Sequence, residues 1–203
     1  YTLMLWLFVD IQTDFSFFIL YSSFFILHFS FFIIHFSLNR NMFYRKVEEQ
    51  DILQITELYN WYILNGVESF ETEPLSVEDM RRRVTDISLR FPYYVAVEEG
   101  RVEGYCYAHP WKERAAYAHT FETTIYLRPA AKRQGIGTGL MSLLISDCRQ
   151  MGCRALIACI TGENTSSIAF HRRLGFEQVS LFRSVGYKHG RWLDVVDMEL
   201  LLW

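Results

Sequence analysis

The alternation of hydrophobic and polar positions predicts one strand and two helices at the start of the globular part. Residues 43–47 read as a short strand, and apolar side chains then recur at helical spacing over residues 52–63. We expect Asp51 to cap this first helix. Ser76 and Asp79 are spaced as in a capping box, which predicts a second helix.

A sheet is predicted to follow these helices. Residues 93–97 and 102–109 are rich in β-formers and flank a Gly-containing turn of hairpin length. A third strand-like run, residues 118–127, ends before Pro129, because proline donates no ladder hydrogen bond. Three neighbouring strands are therefore expected in this segment.

The remaining pattern completes a mixed domain. Apolar residues over 140–151 mark one face of a helix, residues 155–160 form a buried strand, and Asn164 begins a short helix. A final hairpin is predicted from residues 178–187 and 192–200. The order β-α-α-β-β-β-α-β-α-β-β indicates a single α/β (α+β) domain.

Residues 1–41 differ from the rest in composition. Residues 15–38 hold no Asp, Glu, Lys or Arg and are long enough to cross a bilayer as a helix. The stretch is of low complexity, and Met42 stands directly before the first globular pattern. We expect 1–41 to be a non-native or disordered extension, with a membrane anchor as the alternative, and 42–203 to be the domain.

Overall charge and cysteine content exclude some functions. The formal charge of −3 offers no basic field, so we expect no nucleic-acid partner. The four cysteines lack CxxC spacing and a matching histidine, so we expect reduced thiols and no metal. These features favour a cytoplasmic protein.

A glycine-rich segment between the third strand of the sheet and the next helix is the main candidate ligand site. Its sequence over residues 133–139 is RQGIGTG. Backbone N–H groups and a helix N-terminus would converge there on an anion such as a pyrophosphate. The segment lacks the ending of a P-loop and does not follow the first strand, as a Rossmann fingerprint would.

Several motifs in order give the chain a family resemblance. Residues 132–137 (KRQGIG), Asn164 and residues 170–176 (FHRRLGF) are similar to the acetyl-CoA signature of the GNAT acetyltransferase superfamily. The resemblance covers residues 43–200 and is nearest to the phosphinothricin N-acetyltransferase group. It implies a mostly antiparallel central sheet flanked by helices. The segments nearest to that group are residues 68–74, 107–117, 121–126 and 186–192.

The resemblance also implies roles for individual residues. Glu122 matches the family's general base, which takes a proton from the acceptor ammonium. Main-chain groups of Thr124, Ile125 and Tyr126 are expected to stabilise the oxyanion and to pair with the pantetheine arm. The acetyl-CoA phosphates are expected on Lys132, Arg133, Gln134, Gly135, Ile136 and Gly137, with lysine standing where the family usually has Arg or Gln.

Two further residues, Asn164 and His171, each have two possible roles. Asn164 either binds the pantetheine arm or only caps its helix. His171 either protonates the leaving thiolate or only packs.

The acceptor is expected to be acidic. Lys112 and Arg114 form a cationic pair beside Tyr117, and this trio suits a substrate with a carboxylate or phosphinate. We interpret residues 81–83, three consecutive arginines, as a solvated helix face.

The expected function is therefore acetyl transfer from acetyl-CoA to the α-amine of a glutamate-like amino acid, such as phosphinothricin or methionine sulfoximine. Alternatives are another amine acceptor, namely a polyamine or a peptide N-terminus, and a non-catalytic acyl-CoA sensor. A homodimer is expected by analogy with relatives.

Overall fold

The computed structural model of the chain describes residues 41–203. The predicted extension therefore lies outside the described residues, apart from Asn41. Within residues 41–203, no helix is long and apolar enough to cross a membrane.

The elements follow the predicted order, with one strand divided in two. The amino-terminal half contains β1 (Met42–Lys46), α1 (Ile52–Asn65), α2 (Val77–Ser88), β2 (Tyr93–Glu98), β3 (Arg101–Pro110) and β4 (Thr120–Leu127). The carboxy-terminal half contains α3 (Ile136–Gln150), β5 (Ala155–Thr161), α4 (Thr165–Arg173), β6 (Glu177–Gln178), β7 (Phe182–Lys188) and β8 (Arg191–Leu201).

The described strands form one sheet in the order β1-β2-β3-β4-β5-β8-β6, with β7 also paired to β8. β4 and β5 are parallel and the other recorded pairs are antiparallel, which confirms the mixed, mostly antiparallel sheet. The parallel pairing covers only Thr120–Glu122 of β4 and Ala155–Ile157 of β5. Both strands continue beyond that point, so they separate just after Glu122.

A hydrophobic core lies on each side of the sheet. On one side α3 buries a stripe at helical spacing that includes Leu140, Leu144 and Cys148. On the other side α1 and α2 cover β2 and β3 through side chains such as Ile55 and Val84. Removing these surfaces from water stabilises the fold by about 25 cal/mol per Å² of apolar area.

The two predicted helix caps have different outcomes. Ser76 accepts a hydrogen bond from the Asp79 N–H at 3.1 Å, which confirms it as the cap of α2. Asp51 precedes α1, but its side chain makes no cap bond to that helix. Its carboxylate instead accepts from the Glu48 N–H at 2.8 Å and from both terminal nitrogens of Arg45. The prediction was wrong here because a buried carboxylate is stabilised more by a bidentate guanidinium than by one N–H.

Three predicted boundaries also differ from the structure. β4 begins at Thr120 rather than residue 118, because residues 115–117 form a 3₁₀ turn. α3 begins at Ile136, inside the predicted loop. The strand predicted over residues 178–187 is broken between β6 and β7, where the N–H groups of Val179 and Ser180 both donate to the Asp197 carbonyl.

Candidate active site

A cavity of about 1350 Å³ opens where β4 and β5 separate. Its walls come from the second half of β4, the glycine loop, α4, residues 68–71 between the first two helices, and one side of α2. The cavity therefore brings the predicted catalytic strand and the predicted anion loop together.

Glu122 lines this cavity near the point of strand separation. Its side chain is 28% exposed, and its Oε1 lies 3.8 Å from Nε2 of His109. Burial raises the pKa of Glu122; the His109 charge lowers it, and the Asp197 charge raises it further. A carboxylate with a raised pKa inside a cavity is suited to accept a proton.

The glycine loop lies at the other end of the cavity. Gly135 has φ +81°, a left-handed conformation that side chains resist, and it leads directly into α3. The N–H groups of the first turn of α3 lack partners within the helix and carry partial positive charge. Lys132, Arg133, Gly135 and Gly137 line the cavity.

The other two predicted loop residues lie elsewhere. Gln134 is exposed and donates from Nε2 to the Ala130 carbonyl at 2.7 Å. Ile136 is the first residue of α3, and its side chain is buried in the core. Their side chains are therefore absent from the lining of this cavity, which leaves the main chain for any contact they make with a ligand.

The residues predicted to contact the thioester and the pantetheine arm are on β4. Thr124, Ile125 and Tyr126 all line the cavity, and their strand no longer pairs with β5. Its edge toward β5 can therefore accept an added strand-like ligand. The Tyr126 hydroxyl donates to the Glu68 carbonyl at 3.2 Å, which ties β4 to the connection between α1 and α2.

Asn164 lies at the start of α4 and lines the cavity. Its Oδ1 accepts hydrogen bonds from the Ser167 N–H at 3.1 Å and from the Ser166 hydroxyl at 3.0 Å. The cap interpretation is thus confirmed. Its side-chain amide group remains available for a ligand.

His171 is 3% exposed, and its ring packs edge-on against Phe170 and Phe176. Nδ1 lies 2.9 Å from the Ser167 carbonyl oxygen, which can only accept, so Nδ1 carries the proton. Burial lowers the pKa of His171, which favours the neutral ring. In that form Nε2 has no proton to donate.

The predicted acceptor trio does not reach the cavity. Lys112, Arg114 and Tyr117 lie in the connection from β3 to β4, and none of the three is among the cavity-lining residues. The Lys112 ammonium lies 3.9 Å from the ring centroid of Trp111 and 5.4 Å from that of Tyr117. The structure therefore does not bring this trio together with Glu122 in the described chain.

Arg83 is a cavity residue that sequence reasoning missed. The three consecutive arginines were interpreted as a solvated face, but Arg83 lines the cavity and pairs with Glu71 at 2.8 Å. Its guanidinium also lies 5.5 Å from the ring centroid of Tyr59. Position 83 is three residues after the buried Met80, so helical periodicity already contained this signal.

Neutral and acidic groups surround Glu122 on the same side of the sheet. Cys159, one of four free cysteines among the described residues, lines the cavity and lies opposite Asp197 in the β5–β8 pairing, where it is partly withdrawn from water. Burial and the nearby carboxylates raise its pKa to about 12, so the thiol stays protonated. Burial also raises the pKa of Tyr107 to about 12.

Comparisons with known proteins agree with this architecture. Residues 44–196 match the acetyltransferase (GNAT) domain family. The chain is 38% identical over 157 residues to a phosphinothricin N-acetyltransferase of Alcaligenes faecalis, covering 76% of this chain and 80% of the relative. It is 32% identical over 162 residues to an L-methionine sulfoximine/L-methionine sulfone acetyltransferase of Salmonella typhimurium, covering 79% and 95%.

A solved structure gives the same result. The crystal structure of a GNAT superfamily phosphinothricin acetyltransferase from Sinorhizobium meliloti, in complex with AcCoA, aligns with a TM-score of 0.77 at 43% identity. The alignment covers 79% of this chain and 88% of that one. Family match, sequence relatives and fold therefore all lead to one conclusion: this chain belongs to the GNAT superfamily of acetyltransferases.

Proposed function

We propose that this protein transfers the acetyl group of acetyl-CoA to the α-amino group of a small glutamate-like amino acid such as phosphinothricin or methionine sulfoximine. The observation that carries the proposal is Glu122, a cavity carboxylate with a raised pKa, located where β4 leaves β5. The relatives named above support the acceptor class.

In this proposal Glu122 is the general base. An ammonium has no lone pair, so it must lose a proton before its nitrogen can attack the thioester carbonyl. A carboxylate in a cavity that is partly shielded from water holds that proton better than a solvated one. The transfer proceeds directly or through one water.

The opposite end of the cavity binds acetyl-CoA in this proposal. The loop at Lys132, Arg133, Gly135 and Gly137 and the start of α3 receive the phosphates, and the free edge of β4 receives the pantetheine arm. Asn164 contributes its amide group to the same arm. The acetyl-CoA thioester supplies the activated acyl group.

In this proposal His171 packs in the core of the domain and does not protonate the leaving thiolate. Its Nδ1 proton is held by the Ser167 carbonyl, and the pKa of the ring is lowered by burial. The leaving thiolate is therefore protonated by water in our proposal.

We further propose that Arg83 binds the acid group of the acceptor. Its guanidinium lines the same cavity as Glu122, and the charges of both residues influence the pKa of Tyr107, which lines that cavity too. Arginine grips a carboxylate or phosphinate with two parallel hydrogen bonds. Lys112, Arg114 and Tyr117 remain the competing set, in the connection from β3 to β4 and outside the lining of this cavity.

A panel of acceptors, measured with the wild type and with two single variants, tests this proposal. We expect acetylation of phosphinothricin and methionine sulfoximine but not of spermidine or a peptide N-terminus. Arg83→Leu should raise the KM for phosphinothricin by about 10-fold to 100-fold, the value of a charged hydrogen-bonded pair. Arg82→Leu, on the exposed side of the same helix, should leave KM unchanged.

Other outcomes assign the function differently. A KM effect confined to the double variant Lys112→Ala/Arg114→Ala would place the acceptor on the loop before β4. Preference for spermidine or a peptide would reject the acidic acceptor. Binding of acetyl-CoA without acetylation of any amine would favour the acyl-CoA sensor.

A homodimer is also part of the proposal. The strands β7 and β8 expose a group of large apolar side chains, and such patches on a folded domain are typical of interfaces. The exposed members are Phe182, Val185, Tyr187 and Trp192. A monomeric mass by light scattering, at the concentrations used for turnover, would overturn it.

A further inference from the structure

His109 is a titratable side chain within ion-pair distance of the Glu122 carboxylate. The two residues are directly opposite each other on the antiparallel strands β3 and β4, so their side chains share one face of the sheet. The distance from Nε2 of His109 to Oε1 of Glu122 is 3.8 Å, and both side chains line the cavity.

The hydrogen bonding of His109 determines which nitrogen faces Glu122. Nδ1 lies 3.0 Å from the Pro110 carbonyl oxygen, which can only accept, so Nδ1 is the protonated nitrogen of the neutral ring. Nε2 therefore presents a lone pair to the cavity and to Glu122. At 3.8 Å the contact is within ion-pair distance but too long for a direct hydrogen bond.

The other groups around this pair are a phenol, a thiol and a carboxylate. Tyr107 is on the same strand as His109, and its ring centroid lies 5.8 Å from the imidazole. Both Tyr107 and Cys159 keep their protons, because burial raises their pKa values to about 12. Asp197 acts on Glu122 as a like charge, which favours the protonated form of Glu122. Among the described neighbours of Glu122, His109 is therefore the neutral group that presents a lone pair to receive a proton from it.

We propose that His109 is a positioning residue that receives the acceptor's proton from Glu122 and passes it to solvent. This step rests on the proposed function. The ammonium nitrogen loses its proton to the Glu122 carboxylate, and the proton then moves to Nε2 of His109, directly or through water. The free amine forms the amide bond as the bond from acyl carbon to sulfur breaks. Its nitrogen gives up a second proton to water, and the thiolate takes a proton from water, so these two transfers balance. The imidazolium afterwards releases its proton to solvent, which restores both groups.

The test is the pH profile of the full-length chain against that of His109→Asn. Asparagine keeps a side-chain N–H for the Pro110 carbonyl but has no basic nitrogen to receive a proton. We expect kcat for phosphinothricin to fall by about 10-fold or more near neutral pH, within the range that acid–base groups contribute. The KM for acetyl-CoA should stay unchanged.

The shape of the profile separates a relay from a structural role. Without the imidazolium, the pKa of Glu122 is no longer lowered, so the acidic limb of kcat/KM should move to higher pH and lose one ionisation. Added imidazole should restore part of the rate, since it replaces the missing proton acceptor. A profile that keeps its shape and is only lower by a constant factor, with no rescue by imidazole, would overturn the proposal.

A matched control uses a second histidine. His119 also bonds a backbone carbonyl through Nδ1, that of Gly152 at 3.0 Å, but it is not among the cavity-lining residues. His119→Asn should retain the wild-type profile. If the unsubstituted chain acetylates no acceptor, the proposed function has failed; if it turns over and His109→Asn behaves like His119→Asn, only the relay has failed.

Discussion

At the residue scale, the environment of Glu122 opposes folding, and the same environment suits the role of general base that we propose for it. Its carboxylate is partly withdrawn from water and lies near Asp197, and both effects disfavour the ionised form. Nearby His109 compensates only in part. A group placed this way opposes folding whenever it is charged, and the same placement makes it a better proton acceptor.

The pH dependence of stability follows from the raised pKa. A carboxyl whose pKa is higher in the folded state stabilises the fold below its unfolded pKa, and this contribution is lost as pH rises through the folded value. At pH 7 Glu122→Gln should therefore raise the melting temperature above that of the wild type. Near pH 4 the two should converge.

Thermal unfolding at both pH values checks this expectation. Glu177→Gln, which changes an exposed carboxylate on the short strand β6, is the control and should show no such pH-dependent gain. A Glu122→Gln protein that is less stable than wild type at pH 7 would contradict the assigned environment.

Residue identities in the site were predictable to different degrees. Glu122 was predicted as the base, and the structure places it in the cavity, because strand alternation and the family motif both fix its side of the sheet. Arg83 was not predicted, because the three arginines were interpreted together as a solvated face although position 83 is at helical spacing from the buried Met80. His109 was missed because its link to Glu122 depends on strand register, which the sequence does not display.

At the element scale, the glycine loop shows how local conformation positions a ligand site. Gly135 occupies the left-handed region immediately before α3, and this places the start of the helix at Ile136. The sequence predicted that α3 begins after Gly139 and that Gly139 belongs to the loop. Gly139 is instead inside the helix, where a Cβ would meet the Tyr44 ring at 2.5 Å, so close packing explains that glycine.

A pair of glycine substitutions tests the role of the loop conformation. Gly135 and Gly100 have nearly equal φ values of +81° and +79°, and neither has a heavy atom within 4 Å of an added Cβ. Gly135→Ala and Gly100→Ala should therefore cost a similar 1–2 kcal/mol, roughly, from backbone strain alone. Only Gly135→Ala should also raise the KM for acetyl-CoA.

Denaturant unfolding and steady-state kinetics measure the two effects separately. Gly100 lies in the turn between β2 and β3 and does not line the cavity. Its substitution therefore measures the cost of backbone strain without any effect on ligand binding. Equal KM values for the two variants would contradict a role for this turn in acetyl-CoA binding.

The type and order of the elements were predictable because each has a clear period and a clear stop. The break between β6 and β7 was not, since residues 178–187 keep a strand-like pattern throughout. A second irregularity lies inside β7, where Ser184 has φ +52° and its N–H donates to the Asp194 carboxylate at 2.8 Å. This tertiary hydrogen bond helps to hold an irregular strand that side-chain periodicity cannot reveal.

At the scale of the whole molecule, the candidate active site depends on an interruption of strand pairing in the sheet. β4 and β5 pair for only three residues each and then separate, so one strand edge is left free inside the domain. The glycine loop, α4 and the first helical connection close around that opening. The sequence predicts the two strands, but their point of separation follows from how the remaining elements pack.

The most direct test of the central claim is release of the CoA thiol by the full-length chain with acetyl-CoA and phosphinothricin, compared with Glu122→Gln. We expect turnover by the wild type and, for the variant, a kcat lower by a factor of about 10² to 10⁴ near pH 7. The difference in kcat between the two proteins should become smaller at alkaline pH, because more of the acceptor amine is already unprotonated. A variant as fast as the wild type at pH 7 would contradict Glu122 as the base. Absence of turnover by the wild type would contradict the proposed acceptor.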